Sequence, residues 1–392
     1  MKILHVLPSL DPEGGGPMEG VRRLGAHLIQ AGHEVSVVSL DDPREPYLQG
    51  LELTVIALGP SQGRYIYNRK LVPWLKEHAG VYDAVIVNGL WNYHAFGTWR
   101  GLKSSGVPYY VFTHGMLDPW FKRAYPLKHV KKWLYWPWAD YRVLRDARAV
   151  LFTSEEERLQ ARKSFWLYHA KERIVKYGTH PPPPEELPLR EAFLSAYPNL
   201  RNRRRLLYLS RIHKKKGCDL LIKAFRSIAH QDATLHLIMA GPDPTHWVPE
   251  LKTLAHDLGI GNRITWPGML QGDMKWGAFY ACEAFVLPSH QENFGIAVAE
   301  ALGCGRPVLI SDKVNIWREI AAGGAGIVNP DDLAGTIDSL SRWLSLDADE
   351  QRRMGDNARD LFRCNFTTEM MAADFIRVLE QNGNEAVSAL AE

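Results

Sequence analysis

The stretch EAFVLPSHQENFGIAVAEALGCGRPVLIS, residues 283–311, decides how this chain folds. An apolar, strand-like run leads into a loop and a helical pattern, and a second strand-like run closes the stretch. A strand, a helix and a strand in this order form the unit of a parallel sheet. We therefore predict that this part of the chain contains parallel strands covered by helices.

Short apolar runs alternate with helical patterns along the whole chain. Most of the runs are continuously apolar, as expected of parallel strands that are covered on both faces. Amphipathic segments such as 18–31 and 131–145 lie between some of them. The pattern predicts an α/β protein with two Rossmann-like, doubly wound domains. The predicted strands are 2–8, 34–40, 53–58, 83–89, 109–115, 149–154, 205–210, 233–241, 262–268, 283–289, 306–311 and 325–329.

The boundary between the domains is expected at THPPPPEELP, residues 179–188. Its four consecutive prolines fix φ, donate no backbone hydrogen bonds and favour an extended path. We predict an N-terminal domain over 1–180, a linker over 181–203, a C-terminal domain over 204–375, and a tail over 376–392 that can cross back to the first domain. Two such domains are expected to face a central cleft, and open α/β sheets bind ligands at the carboxyl ends of their strands.

Bulk composition predicts an ordinary globular protein of the cytoplasm. Of the 392 residues, 46% are hydrophobic and 23% charged, and the chain starts directly with the strand-like KILHVLPSL. No apolar run reaches the roughly 18 residues of a membrane span. The four cysteines are scattered without a C-x-x-C pair, which argues against a disulfide framework or a structural zinc site. Residues 1–185 hold 24 Lys and Arg against 18 Asp and Glu, an excess that can mark the half that meets an anionic surface.

Two cations follow the first predicted strand of the second half. Arg211 leaves the strand end, and Lys216 stands just before Gly217, where a helical pattern begins. Arginine can fork onto phosphate oxygens and lysine supplies a point charge, so this position at a strand's carboxyl end predicts a phosphate site. A solvated turn is the alternative, and we assign it to Lys214 and Lys215.

Two glutamates frame the loop and helix of the opening stretch. Glu292 lies in the loop, and Glu300 lies about two turns into the helical pattern. Eight residues of helix would separate them by about 12 Å. That is more than the roughly 5–9.5 Å of a glycosidase pair, and it suits two contacts along one long ligand.

The helix between the glutamates is expected to bind a diphosphate at its N-terminus. Backbone N–H groups around Asn293, Phe294 and Gly295 would point outward there, and the helix dipole favours an anion. Glu300 would then accept hydrogen bonds from ribose hydroxyls, and Glu292 from a sugar beyond the diphosphate. The alternatives are a helix cap for Glu292 and a surface position for Glu300, although the neighbours of Glu300 are apolar.

Together the two motifs resemble those of a known enzyme family. The E-x7-E spacing with N-F-G inside it and A-L-G-C-G-R-P-V after it, and the Arg-x4-Lys-Gly element at Arg211, are similar to the retaining glycosyltransferases of family four. The resemblance covers the whole chain and implies the two-domain glycosyltransferase-B fold, with an activated-sugar donor held mainly by the second domain and no cofactor. It also implies that TWPGML, residues 265–270, runs beside the base, which Met269 and Leu270 would contact.

In the first half, a glycine run and a histidine are candidate site residues. Gly15 and Gly16 belong to the run after the first strand, which lacks the last glycine of the dinucleotide fingerprint. The resemblance implies that this loop faces the donor phosphates; a flexible surface turn is the alternative. A lone histidine is more often structural, but the resemblance implies that His114, at a strand end, lies close to the reacting sugar. The candidate acceptor contacts are Trp91, Asn92 and Asp118.

The reaction that the resemblance implies is transfer of a hexose-type sugar, with retention at the anomeric carbon, from a nucleoside diphosphate to a glycan or lipid-linked acceptor. Departure of the diphosphate develops negative charge, which Arg211, Lys216 and the helix N-terminus would stabilise in place of a divalent metal. Together with His114 and Glu292, these two cations are the candidate catalytic residues. The D-x-D triplet at 347–349 opens a helical pattern rich in first-turn acids, and we interpret it as a cap and not as a metal site.

The segment 118–148 combines positive charge with aromatic rings. It holds eight Lys and Arg against three Asp, interleaved with eight aromatic residues. Such a segment suits an anionic bilayer, which would place the protein on the inner face of the plasma membrane and favour a lipid-linked acceptor in surface polysaccharide assembly. An aromatic-rich helix packed on the sheet, with a solvated basic face, explains the composition equally well. Nucleic acid is not an expected partner, because no recognition motif appears.

Two other functions stay open on the same fold. A nucleotide-sugar epimerase would need further acid/base carboxylates, and a pyridoxal-dependent phosphorylase would need a cofactor lysine; neither signature is clear. A nonenzymatic nucleotide-sugar-binding protein is the third hypothesis, against which the intact set of candidate residues counts. Nucleotide release with and without acceptor separates them, because an epimerase interconverts sugars without any acceptor and a binding protein does neither.

Overall fold

The computed structural model describes residues 1–12 and 16–389, except for the side chains of Arg123 and of residues 382–389. The chain divides into two compact units: residues 1–177 with the C-terminal helix from Thr368 form the first unit, and residues 178–367 form the second. Each unit holds one parallel sheet covered by helices. This confirms the α/β, Rossmann-like class predicted from the sequence.

The first unit is built on a seven-stranded sheet. Its strands are β1 (Lys2–Leu7), β2 (Glu34–Ser39), β3 (Thr54–Ala57), β4 (Ala84–Asn88), β5 (Tyr109–Phe112), β6 (Ala149–Phe152) and β7 (Glu172–Ile174). They pair in parallel in the order β3-β2-β1-β4-β5-β6-β7. The strand order reverses between β1 and β4, and this is the point at which open α/β sheets place their ligands.

Eight helices of the first unit lie in the described residues. They are α1 (Gly16–Gln30), α2 (Leu71–His78), α3 (Tyr93–Leu102), α4 (Trp120–Ala124), α5 (Pro126–Tyr135), α6 (Asp140–Asp146), α7 (Glu155–Ala161) and, after the second unit, α16 (Thr368–Ala389). The amphipathic pattern predicted over 131–145 is divided between α5 and α6 by a 3-10 turn, Trp136–Trp138. Pro137 explains the break, because it has no N–H to donate and its ring clashes with the preceding turn.

The second unit is built on a six-stranded sheet of parallel strands in the order β10-β9-β8-β11-β12-β13. Its strands are β8 (Arg204–Leu209), β9 (Leu235–Ala240), β10 (Ile264–Gly268), β11 (Ala284–Leu287), β12 (Val308–Ser311) and β13 (Gly326–Asn329). Its helices are α8 (Glu186–Ala196), α9 (Cys218–Ile228), α10 (Val248–Asp257), α11 (Gly272–Ala281), α12 (Ile296–Gly303), α13 (Trp317–Ala322), α14 (Leu333–Ser345) and α15 (Ala348–Asn365).

Two further features differ from the sequence-based expectation. Each predicted run contains a strand, but β7 was not predicted, because Glu172–Ile174 has two charged residues and no apolar run. Residues 181–203, predicted as a linker, contain α8 and belong to the second unit. The apolar side chains of Leu189 and Phe193 explain this, because they are buried where α8 packs on α11.

Helix α16 completes the first unit by packing on its sheet and on α1. Phe375 is fully buried, and its ring stacks 6.2 Å from that of Phe112 on β5 and 6.1 Å from His5 on β1. The Asp374 carboxylate also accepts a hydrogen bond from the Lys176 N–H at 2.8 Å. The helix is therefore part of the core of the first unit.

We predict that Phe375→Ala lowers the free energy of unfolding of the first unit by about 3–5 kcal/mol, because it leaves a cavity beneath the sheet. Denaturant titration followed by circular dichroism measures the change. Glu380→Ala, at an exposed position of the same helix, serves as the control and is expected to shift stability by no more than about 0.5 kcal/mol. Equal stability of the two variants would contradict this role of α16.

Candidate active site

Backbone contacts join the turn after β8 to the loop after β11 in the second unit. The 3-10 turn Lys214–Lys216 follows β8, and its Lys215 carbonyl accepts the His290 N–H at 2.9 Å. Gly217 ends the turn at a φ of 67°, and a Cβ there would lie 2.3 Å from the Pro288 carbonyl oxygen. Only glycine fits such a left-handed, crowded position without strain. The turn and the loop are therefore held against each other at the carboxyl edge of the sheet.

This arrangement brings Lys216 and Glu292 together. Lys216 is 4% exposed, and its ammonium group forms an ion pair with the Glu292 carboxylate. Burial raises the pKa of Glu292, but the charge and the hydrogen bond of Lys216, together with the charges of Lys215 and Arg211, outweigh burial and lower that pKa. Glu292 is therefore ionised at neutral pH, and an ionised carboxylate only accepts hydrogen bonds. Such a group can hold sugar hydroxyls but cannot donate a proton.

Backbone hydrogen bonds fix the loop that carries Glu292. The Glu292 N–H donates to the Lys313 carbonyl at 2.9 Å, and the Glu292 carbonyl accepts the Asn315 N–H at 3.0 Å. The Asn315 side-chain amide also donates to Asn293 Oδ1 at 3.3 Å. The segment after β12 therefore sets the height of Glu292 above the sheet.

Arg211 lies beside this pair and is exposed. Its backbone carbonyl accepts the Tyr208 hydroxyl at 2.9 Å, which fixes the chain where β8 ends. None of the carboxylates in the described part of the chain forms an ion pair with its guanidinium group. Its charge also contributes to the lowered pKa of Glu292, after the contributions of burial, Lys216 and Lys215. Arg211 thus offers a guanidinium group to an anion from solution.

The start of α12 differs in detail from the expectation. Gly295 adopts a φ of 79°, and the helix begins at the next residue, so Glu300 is its fifth residue. Fewer helical residues therefore separate Glu292 from Glu300 than the eight that the sequence predicted. The Phe294 ring is buried and meets the Phe366 ring edge-on at 5.7 Å, so only its backbone is left for a ligand.

Glu300 has a partner that the sequence did not suggest. Its carboxylate is buried and accepts a hydrogen bond from Lys275 on α11 at 2.8 Å. The Lys275 ammonium also lies 4.1 Å from the centre of the Trp276 ring. Lys275 stands in an ordinary helical pattern 25 residues before Glu300, and nothing in the sequence links the two. A ribose that binds Glu300 would share the carboxylate with this lysine.

The residues predicted beside the base follow β10. Met269 is 60% exposed, which is unusual for so large an apolar side chain, and Leu270 is half-buried. Gly268 before them has a φ of 76° and turns the chain at the strand end. An exposed apolar side chain at a carboxyl edge suits stacking against a flat ring.

In the first unit, His114 lies at the carboxyl end of β5. Its φ is 47°, an uncommon value for a residue other than glycine, and its ring stacks 5.3 Å from Phe112. Its Nε2 lies 3.3 Å from Oδ1 of Asn88, the last residue of β4. The Asn88 amide nitrogen donates to the Ile86 carbonyl at 3.2 Å, so the oxygen of that amide must face His114. His114 therefore carries its proton on Nε2, and Nδ1 is an acceptor.

Buried surroundings keep His114 neutral. Burial, with a smaller contribution from His94, lowers the pKa of His114 to about 4. His94 and His5 are fully buried themselves, with pKa values lowered by burial to about 4 and about 3. At neutral pH the ring can thus accept a hydrogen bond from a sugar hydroxyl through Nδ1.

Glu157 positions the turn that carries His114. This buried carboxylate accepts hydrogen bonds from the Thr113 hydroxyl at 2.7 Å, the Gly115 N–H at 2.6 Å and the Thr153 N–H at 2.7 Å. The sequence signal is the S-x-x-E pattern that starts at Ser154, which predicts a capping box. The Ser154 hydroxyl does accept the Glu157 N–H at 3.1 Å, but the carboxylate turns to the neighbouring strand end.

The candidate acceptor residues lie at the same edge with different surroundings. The Trp91 ring packs against the stacked rings of Trp136 and Phe165, with centroid distances of 5.7 and 5.4 Å, and the Lys132 ammonium lies 4.1 Å from its centre, so its surface is largely occupied. Asn92 precedes α3 without a capping hydrogen bond from its side chain, and Asp118 Oδ1 accepts the Trp120 N–H at 2.8 Å. The glycine run is less informative: Gly16 is the first residue of α1, and Gly15 lies outside the described residues.

The acidic triplet at 347–349 has a structural role. Asp347 caps α15: its carboxylate accepts the Glu350 N–H at 2.7 Å, and Glu350 returns the contact to the Asp347 N–H at 2.9 Å. Within the described ranges, no group of three or more His, Cys, Asp and Glu side chains is arranged to hold a metal ion.

Known proteins resemble both units. Residues 15–178 match the family model described as a glycosyl transferase 4-like domain, and residues 191–361 match that of the glycosyl transferases group 1. The chain is 27% identical over 226 residues to an alpha-D-kanosaminyltransferase from Streptomyces kanamyceticus, in an alignment that covers 57% of this chain and 58% of that protein.

One further sequence relative and one solved structure also resemble this chain. A D-inositol 3-phosphate glycosyltransferase from Gordonia bronchialis is 28% identical over 187 residues, which are 44% of this chain and 40% of that protein. The chain thus spans only 40–58% of the length of these curated relatives. The structure of Anabaena HepE in complex with UDP and glucose aligns with a TM-score of 0.74 at 17% identity, covering 97% of this chain and 99% of that one. This last likeness shows the fold.

We predict that Asn88→Asp raises the pKa of His114 from about 4 towards neutrality. A carboxylate beside Nε2 stabilises the imidazolium form, whereas the amide does not. Titration of the His114 ring by NMR measures the change. In the control, Asn88→Leu, burial alone keeps the pKa low. A wild-type His114 that titrates near the ordinary histidine pKa would contradict the neutral, Nε2-protonated ring.

Proposed function

Because this chain belongs to the glycosyltransferases whose two halves are the glycosyl transferase 4-like and group 1 domains, we propose that it transfers a hexose-type sugar from a nucleoside-diphosphate donor. The acceptor is a glycan or a lipid-linked glycan of surface polysaccharide assembly. The observation that supports this most strongly is the ion pair between the buried Lys216 and the partly exposed Glu292, with the exposed Arg211 beside it. In this arrangement two cations that can bind a diphosphate, Arg211 and Lys216, lie next to an ionised carboxylate, Glu292, that can accept hydrogen bonds from sugar hydroxyls.

The donor in this proposal lies along the carboxyl edge of the second unit. Its diphosphate meets Arg211, Lys216 and the backbone N–H groups before α12, including those of Asn293 and Gly295. The sugar hydroxyls donate to Glu292, and the ribose hydroxyls share Glu300 with Lys275. The base lies against the exposed Met269. The UDP and glucose bound in the HepE crystals are the kind of ligand that this arrangement suits.

Catalysis in this proposal is mainly electrostatic. As the bond from the anomeric carbon to the diphosphate breaks, negative charge grows on the leaving oxygen, and fixed cations stabilise it without reorganisation. Glu292 is already neutralised by Lys216, so its charge does not repel the departing diphosphate as an unpaired carboxylate would. We therefore propose that turnover needs no divalent metal.

His114 acts in the first unit through its unprotonated Nδ1, which accepts a sugar hydroxyl and orients the reacting ring. We propose that the acceptor attacks from the face that the diphosphate leaves, so that the anomeric configuration is retained. The reaction takes place at the cytoplasmic face of the plasma membrane. In the part of the chain that is described, no helix is both long enough and apolar enough to cross a bilayer.

Arg211→Ala is expected to weaken the binding of a nucleoside diphosphate about 10- to 100-fold, the loss of a charge-assisted hydrogen bond to phosphate. A panel of nucleoside-diphosphate sugars, scored by thermal shift and by nucleotide release, measures it. Lys214→Ala, at an exposed lysine of the same turn, is the control and should bind the donor normally. Unchanged donor stabilisation in Arg211→Ala would refute the phosphate role.

Glu300→Ala is expected to raise the Kd of nucleoside-diphosphate donors by roughly tenfold through the loss of ribose hydrogen bonds. Lys275→Ala separates this from the effect on the ion pair, because it breaks the pair but keeps the carboxylate. If the two variants lose donor affinity equally, the glutamate acts through the pair and not on the ribose.

A chelator is expected to leave turnover unchanged, because the cations of the site are side chains. The same assay identifies the reaction class: release of nucleotide only with acceptor present indicates transfer. Sugar interconversion without acceptor would indicate an epimerase, and binding without turnover would indicate a nonenzymatic protein. Loss of activity with the chelator, restored by a divalent ion, would contradict the metal-free mechanism.

A further inference from the structure

Helix α5 turns apolar side chains towards solvent. Leu127, Val130 and Leu134 recur at helical spacing along one side and are 83%, 54% and 63% exposed. No residue of the helix is buried in this unit. A surface helix of a globular protein normally directs such a stripe into the core, so an exposed stripe of this size marks a surface that another body covers.

The side of α5 opposite the apolar stripe packs on the first unit and so fixes the orientation of the helix. The Lys132 ammonium lies 4.1 Å from the centre of the Trp91 ring, and the His129 ring stacks 5.0 Å from Phe165. The 3-10 turn that follows the helix buries Trp136 completely. The helix therefore docks on the unit through a cation and aromatic rings, and this contact holds the apolar stripe outward.

Exposed tryptophans extend the stripe. Trp133 on α5 is 44% exposed and lies 6.2 Å from Trp166, which is 66% exposed in the loop before β7. Trp138, just after α5, is 68% exposed. We call this surface the apolar face; it consists of Leu127, Val130, Trp133, Leu134, Trp138 and Trp166.

The charge around the apolar face has one sign. Residues 119–139 and 163–171 contain no Asp or Glu, and exposed lysines stand in both, including Lys128, Lys131 and Lys163. This pattern argues against a second copy of the chain as the occupant, because two such faces would bring like charges together. Tryptophan rings with lysines around an apolar stripe suit an anionic bilayer, where rings settle at headgroup depth and ammonium groups meet lipid phosphates.

We propose that the apolar face docks on an anionic bilayer and that α5 thereby delivers the acceptor. The second part rests on the proposed function. Trp91, on which the inner side of α5 lies, belongs to the turn after β4 at the carboxyl edge of the first unit. One helix diameter of about 10 Å separates this turn from the outer side of α5. A lipid-linked acceptor therefore reaches the turn without leaving the membrane surface, and this is the acceptor class that we assign.

The test measures co-sedimentation of the full chain with vesicles of phosphatidylcholine, with and without phosphatidylglycerol. Binding is expected only to the anionic vesicles, weakening as salt rises, with a blue shift of tryptophan fluorescence. Lys128→Ala combined with Lys131→Ala should lower the partition coefficient roughly 25-fold, at about fivefold for each lysine. Leu127→Gln combined with Leu134→Gln should weaken vesicle binding and, in addition, abolish the blue shift of tryptophan fluorescence.

The matched control changes an exposed lysine and an exposed aliphatic residue elsewhere on the first unit: Lys76→Ala with Val81→Gln. It should bind anionic vesicles like the wild type. Vesicle binding that is equal in all variants, or absent in the wild type, would overturn the proposal. So would a dimer in solution that Leu127→Gln with Leu134→Gln dissociates, because the occupant would then be a second copy.

Turnover separates this inference from the proposed function. Donor-dependent transfer to a soluble acceptor should be unchanged in the α5 variants, whereas transfer to a lipid-linked acceptor in anionic vesicles should fall with vesicle binding. Failure of transfer to both acceptors in the wild type would refute the proposed function and leave the vesicle result standing. Equal transfer to the vesicle acceptor by all variants would refute the delivery role of α5.

Discussion

The second unit depends on one ion pair whose lysine is buried. Lys216 can stay 4% exposed only because the Glu292 carboxylate lies against its ammonium group, and removing the carboxylate would leave that ammonium uncompensated at a cost of up to about 3–5 kcal/mol. The pair also ties the turn after β8 to the loop after β11, two elements 76 residues apart along the chain. Because this contact fixes the ends of two strands relative to each other, it also fixes the geometry of the candidate site that they form.

The first unit uses the same principle through hydrogen bonds instead of an ion pair. Asn88, the last residue of β4, and Glu157, in the first turn of α7 after β6, hold His114 at a positive φ and in one tautomer. A flexible histidine would present either nitrogen, whereas this one presents Nδ1. In both units the candidate residue is held by partners that follow other strands of the same sheet, so its position depends on the order of the strands as well as on the sequence of its own loop.

Much of this was predictable from sequence, for identifiable reasons. Continuous apolar runs marked the strands, and the rule that ligands meet the carboxyl ends directed attention to Arg211, Lys216, Glu292 and His114. Contacts between residues far apart in the sequence could not be predicted. Asn88, Glu157 and Lys275 are polar residues in ordinary positions, and only the fold brings them close to His114 or Glu300. The inward ring of Phe294 escaped as well, because the sequence does not show where α12 begins. The edge strand β7 forms because β6 offers it a partner, and its own three residues carry no apolar pattern.

The most direct measurement is calorimetric titration of UDP and of a UDP-sugar into the wild type and into Glu292→Gln, with thermal unfolding as a check of the fold. If the Lys216–Glu292 pair holds the diphosphate on one side and the sugar on the other, the variant should bind UDP at least as tightly as the wild type. It should lose the extra affinity that the sugar adds, because its hydroxyls no longer meet a carboxylate. An equal loss of affinity for both ligands, or no loss for either, would contradict the pair as the centre of the donor site.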